Sequence, residues 1–129
     1  MPVLGLGIDV CSSARVGAIL DRFGDRFWQR ILTERERRDL AHRADRATAL
    51  AGRFAAKEAA KKALAGAPGV GWHQLEVRGG GREPPRLLLH GPARRLAVER
   101  GVVQAHLSIT HDAGVAAAVV ILEGRSTEP

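Results

Sequence analysis

Two carboxylates, Asp9 and Glu58, stand where acids need a reason. Asp9 closes the apolar run Val3-Leu4-Gly5-Leu6-Gly7-Ile8, and Glu58 lies in an alanine-rich segment flanked by Arg53, Lys57, Lys61 and Lys62. A hard cation such as Mg²⁺ takes one or two carboxylates from a protein and completes its octahedron with water and phosphate oxygens, a demand that this pair can meet. The plainer account is a strand-end Asp capping the next helix and a surface Glu paired with Lys62 at i, i+4. Spacing alone favours that plainer account.

On a helix, Arg53, Lys57 and Lys61 recur at i, i+4 and i+8, with Lys62 beside them, so they share a cationic face. Such a face suits a polyphosphate, because arginine grips phosphate through its planar fork and lysine supplies compact charge. A solvated basic helix face is the alternative. In His106-Leu107-Ser108-Ile109-Thr110-His111-Asp112, alternation puts His106, Ser108 and Thr110 on one strand face and leaves His111 and Asp112 at the turn. There a His-Asp pair can donate to phosphate or carry a proton. No nucleophile-elbow glycines surround Ser108, and Gly79-Gly80-Gly81 has neither the lysine nor the following helix of a phosphate loop. Cys11, the single cysteine, permits no internal disulfide and reads as a small apolar residue at a strand end.

The elements that must position these groups follow from periodicity and caps. Residues 3 to 10 read as a strand whose Gly5 and Gly7 admit another backbone closely. Ser12 or Ser13 caps an amphipathic helix on which Val16, Ile19, Leu20 and Phe23 recur at helical spacing. Thr33 with Glu36 is a capping box opening a short charged helix to about Arg43. The proline-free stretch from Arg46 to Leu64 is the strongest helix signal, stopped by Gly66-Ala67-Pro68-Gly69. Two strands around Leu75-Val77 and Leu87-Leu89, joined through Gly79-Gly81 and Pro84-Pro85, suggest a hairpin. Gly91-Pro92 opens a last helix that Gly101 ends, His106 to His111 forms a strand, and the apolar run Val115 to Leu122 reads as a buried central strand. The order predicts one α+β domain over residues 1-124, an antiparallel sheet packed against a long helix, with 125-129 as a flexible tail.

With 129 residues, 45% hydrophobic and 26% charged, the chain falls in the range of a single globular domain and away from disorder. No apolar stretch approaches the roughly 20 residues of a membrane-spanning helix, and no basic segment precedes the N-terminal apolar run as in a secretory signal. The expectation is a cytoplasmic protein with no membrane association. A net charge of +6 favours anionic partners. The three Phe, two Trp and no Tyr offer little for stacking nucleic-acid bases.

Taken together, Gly7-Ile8-Asp9-Val10, Arg15-Val16, Ile31-Leu32-Thr33 with Glu36, Ala51-Gly52-Arg53-Phe54-Ala55-Ala56-Lys57-Glu58-Ala59, Lys62-Ala63 and Ser108-Ile109-Thr110-His111-Asp112 resemble the holo-[acyl-carrier-protein] synthases, the short, single-module branch of the 4′-phosphopantetheinyl transferases. The resemblance spans nearly the whole chain. It implies transfer of the 4′-phosphopantetheine arm of coenzyme A to a serine of acyl carrier protein, with Mg²⁺ as cofactor. Asp9 and Glu58 carry over as metal ligands, and Arg53, Lys57, Lys62 and His111 as groups around the phosphates; Asp9, Glu58, Lys62 and His111 are the expected catalytic set. A water on the metal, Glu58 and the His111–Asp112 region all stay open as the base. The resemblance also implies a homotrimer with sites between subunits, Asp9 and the His111 turn coming from one chain and much of the Glu58 helix facing them from the next. Lys61 stands where such proteins often carry a smaller or uncharged residue.

The first helix, through Arg15, Arg22 and Arg26, offers a basic docking surface for an acidic carrier protein, with an ordinary exposed amphipathic face as its alternative. The rival from another class is a small RNA-binding module whose Arg53–Lys62 ridge tracks a phosphate backbone without catalysis.

Overall fold

The computed structural model describes residues 1–126; the expected tail beyond them, 127–129, lies outside the described residues. The elements run β1 (Val3–Ser12), α1 (Ser13–Phe23), α2 (Asp25–Ile31), α3 (Glu34–Asp39), α4 (Arg46–Ala63), a 3₁₀ turn at Trp72–Gln74, β2 (Leu75–Gly80), β3 (Glu83–Leu89), α5 (Gly91–Glu99), β4 (Val102–Asp112) and β5 (Val115–Gly124). One antiparallel sheet has the order β1-β5-β4, and β2 and β3 form a separate hairpin. The run Val115 to Leu122 is thus the central strand, as its unbroken apolarity predicts. Its inner-face residues Ala116, Ala118, Val120 and Leu122 are buried.

Helix α4 packs on that inner face, and two glycines decide how closely. A Cβ added at Gly7 would fall 1.8 Å from the carbonyl oxygen of Ala59, and one added at Gly5 would fall 2.1 Å from that of Ala63. Strand and helix backbones therefore touch, which only glycine allows. The helix answers with small residues: Ala51, Ala55, Ala56, Ala59 and Ala60 are all buried. Leu50, Ile31, Leu32, Leu64, Leu75 and Val77 fill the rest of the core.

Caps and breakers set the boundaries. The Ser12 side chain accepts from the Arg15 amide at the start of α1. Thr33 and Glu36 make the reciprocal capping box that opens α3. Three expectations are corrected. The first helix ends at Phe23 because Gly24 takes φ 60, so Arg26 belongs to α2, and Phe23 is half-exposed. Helix α3 stops at Asp39 rather than near Arg43. Pro84 and Pro85 lie within β3, a position open to proline because a two-stranded hairpin leaves one strand edge free of ladder bonds. Beyond β5, the Arg125 amide donates to Gly101 O at 2.9 Å.

Candidate active site

The close seat of α4 on β1 brings the first group of expected residues together. Lys62 Nζ lies 3.1 Å from Asp9 Oδ1 and donates to Ile8 O at 3.0 Å. Glu58, half-buried one turn earlier, faces the same neighbourhood: burial raises the Cys11 thiol pKa first, and the charges of Asp9 and then Glu58 add to the rise. An unreactive, neutral thiol follows. Helix α4 therefore meets Asp9 within one chain, and the expectation that it faces Asp9 from a neighbouring subunit is corrected.

The second group sits at the other edge of the sheet. Register places Cys11, Ala116 and His111 in one row across β1, β5 and β4, so Cys11 and His111 are separated by two strand spacings, about 10 Å, and Asp9 lies two residues further along β1. His111 rests against the N-terminal half of α4, where a Cβ at Gly52 would fall 2.9 Å from its Nε2. Beside it opens a cleft of about 300 Å³ between α4 and the hairpin loop, lined by Arg43, Arg53, Gly80, Arg82, Ile109 and His111. Arg53 is buried, and one of its amino nitrogens donates to Gly79 O at 3.1 Å. Its Nε, also buried, has no hydrogen-bond partner among the described residues. Desolvation lowers the Arg53 pKa, Glu36 opposes this, and Arg43 adds to the lowering; a guanidinium nonetheless stays charged at neutral pH. A buried cation with an orphaned N–H is a ready seat for an oxyanion.

Arg43 escaped the sequence reading because nothing local marks it. It is gripped by Asp45 through two 2.7 Å bonds. That hydrogen bonding raises the Arg43 pKa and lowers the Asp45 pKa.

Lys57 is the correction within the set. Its ammonium is fully enclosed and donates to Ile31 O at 2.6 Å, Glu36 Oε1 at 2.6 Å and Trp72 O at 3.1 Å. All three donors are committed, leaving none for a ligand phosphate. Burial pushes its pKa down while Glu36 holds it up. Glu36, itself fully buried, also accepts from the Thr33 and Val77 amides. Glu76 continues the network, accepting from Thr33 Oγ1 at 2.7 Å and lying 3.2 Å from His90 Nε2. Burial opposes the ionisation of Glu76, but the bonds from Thr33 and His90 prevail and its pKa falls below the ordinary value. Lys61 turns aside as well, with its ammonium 3.5 Å from the centre of the Trp72 ring. The continuous ridge that an RNA-binding module needs is therefore absent from this helix. Arg15, Arg22 and Arg26 are exposed on α1 and α2.

Among the described residues, no three His, Cys, Asp or Glu side chains converge as a metal cage. Mg²⁺ asks for less: two carboxylates with open positions for water and phosphate suit it, and the Lys62 ammonium between Asp9 and Ile8 O marks where a cation is held. A sheltered Asp9 on an edge strand, Glu58 and Lys62 on the helix packed against it, and a basic cleft at the other end of that helix fit an enzyme that handles phosphate esters. The chain belongs to the 4′-phosphopantetheinyl transferase superfamily, whose model matches residues 5–120. A holo-[acyl-carrier-protein] synthase from Anaeromyxobacter dehalogenans is 50% identical over 126 residues, covering 95% of this chain and 97% of its own. One from Myxococcus xanthus is 46% identical over 128 residues, covering 97% and 98%. The crystal structure of the Helicobacter pylori holo-[acyl-carrier-protein] synthase in complex with coenzyme A superposes with a TM-score of 0.78 at 29% identity, covering 92% of this chain and 99% of that one.

Proposed function

We propose that the protein transfers the 4′-phosphopantetheine arm of coenzyme A to a serine of apo acyl carrier protein, releasing adenosine 3′,5′-bisphosphate. The observation that carries this reading is the ion pair of Asp9 with Lys62 at the β1–α4 contact, with Glu58 one turn earlier on the same helix, in a chain whose family moves that arm. Asp9 and Glu58 would hold Mg²⁺, which when bound neutralises charge on the diphosphate of coenzyme A. Lys62 adds a cation at the same place. Arg53, Arg43 and His111 form the basic cleft that suits the phosphate-rich nucleotide end.

The carrier serine oxygen attacks the phosphorus that bears the pantetheine arm. The bond from that phosphorus to the bridging oxygen breaks, its electron pair leaves on adenosine 3′,5′-bisphosphate, and the serine proton passes to a base at the site. The residues' work is positioning and charge compensation. Incubating the protein with coenzyme A, Mg²⁺ and an apo carrier protein should raise the carrier mass by one phosphopantetheinyl group, and a chelator should abolish the increase. An unchanged carrier mass overturns the reading.

The carrier docks on the exposed arginines Arg15, Arg22 and Arg26, with Phe23 and Phe27 lining a cleft next to Arg26. Within this reading the protein works in the cytoplasm as a homotrimer. Leu6, Ile8 and Val10 are each more than 60% exposed on the outer face of β1, an apolar strip of the kind that a further copy covers. With α4 lying between Asp9 and His111, a site shared between subunits would join the acids of one chain to the cleft of its neighbour. Co-expressing Asp9→Asn and His111→Ala chains should then restore activity that neither has alone; no restoration overturns the shared site.

A further inference from the structure

The Lys62 ammonium occupies a small cation seat. Its two partners are a main-chain carbonyl at 3.0 Å and a carboxylate oxygen at 3.1 Å, the kind of oxygen donors that a hard metal ion uses. Its accessibility differs from that of its partner: the Asp9 side chain is 21% exposed and the Lys62 side chain 55%. The carboxylate is sheltered and fixed on a strand, while the lysine reaches it along an open, flexible stem. An ion pair so exposed contributes little to stability, so a divalent cation can displace it without disturbing the fold.

We propose that Lys62 is a resident counter-ion for Asp9, displaced by the divalent metal and thereby released to the phosphate side of the site. The inference rests on the reading of Asp9 as a metal ligand. Before the metal arrives, the lysine keeps the half-buried carboxylate compensated. Afterwards the same ammonium is free for the anion that the metal recruits. Metal and phosphate ligand then bind with positive coupling, and the coupling is reciprocal.

The test is calorimetric titration of the free protein with Mn²⁺ and with Mg²⁺, without coenzyme A, for the wild type, Lys62→Met, Lys61→Met and Asp9→Asn. Losing the competitor should tighten metal binding about two- to five-fold in Lys62→Met, the range that an exposed ion pair allows. Lys61→Met removes an equal charge one residue away, from an ammonium that rests on Trp72, and should leave the affinity unchanged. If Lys62→Met binds no tighter than the wild type, or if Lys61→Met tightens binding equally, direct competition is overturned. Asp9→Asn should abolish the titration. Full binding by that variant overturns the metal-ligand reading itself, whereas its loss alongside an unaltered Lys62→Met overturns the counter-ion role alone.

Discussion

Lys57 and Lys62 stand five residues apart on one helix and do opposite things. Lys57 points into the junction of α2, α3 and the Trp72 turn, where three oxygens take its three protons and no water reaches it. Lys62, near the open end of α4, holds two oxygens loosely and keeps most of its length in solvent. The same residue type thus serves architecture at one position and, in the proposed reading, a ligand site at the other. What decides is the number of acceptors the surroundings supply and whether the group can leave them.

The largest expected effect breaks that pair apart. Lys57→Met leaves Glu36 as a buried, uncompensated charge and should cost about 3–5 kcal/mol in denaturant unfolding, whereas Lys62→Met should change stability by less than about 0.5 kcal/mol. Equal losses would erase the distinction between the two lysines. Glu58→Gln, between them, should lower turnover by about 10²–10³-fold with an unchanged melting temperature; full activity would remove Glu58 from the site. A smaller effect is expected at the carrier surface, where Arg22→Glu should raise the KM for acyl carrier protein several-fold and leave kcat nearly intact. An equal loss with a minimal hydroxyl acceptor would argue against docking there.

The smallest effect tests the network around Lys57 by pH. The folded pKa of Glu76 lies below its ordinary 4.5, so the unfolded chain binds the proton more readily. Its contribution is therefore fully present above 4.5 and is lost as the pH falls through the lower folded value. Glu76→Gln should flatten this part of the acid limb of the stability curve, and an unaltered limb would place the acid sensitivity elsewhere.

Much of the fold was legible because its signals are local. Gly5 and Gly7 announced a close backbone contact, Thr33 and Glu36 announced a helix start, and the unbroken run of β5 announced a central strand. The pairing of Asp9 with Lys62 within one chain was not legible, because the glycines announce a close backbone contact without naming the helix that makes it or the chain it belongs to. The fate of Lys57 was not legible, since helical spacing puts it on one face with Arg53 and Lys61 and is silent about Glu36, 21 residues away in sequence. The alanines on either side of Lys57 were the available hint, as a lysine set among Ala56, Ala59 and Ala60 borders the core. Arg43 and the hairpin wall of the cleft are tertiary juxtapositions without a periodic trace. The break at Gly24 was readable in principle, but a continuous amphipathic pattern on both sides hid it.

The contact of Gly5 and Gly7 with two carbonyls of α4 has a bearing on how this molecule can vary. Because main chain rests directly on main chain there, the seat of α4 against the strand that carries Asp9 is a property of the polypeptide scaffold rather than of side-chain fit. Wide substitution in the interior should leave catalytic spacing untouched, while a single methyl group at position 7 should disturb it from within.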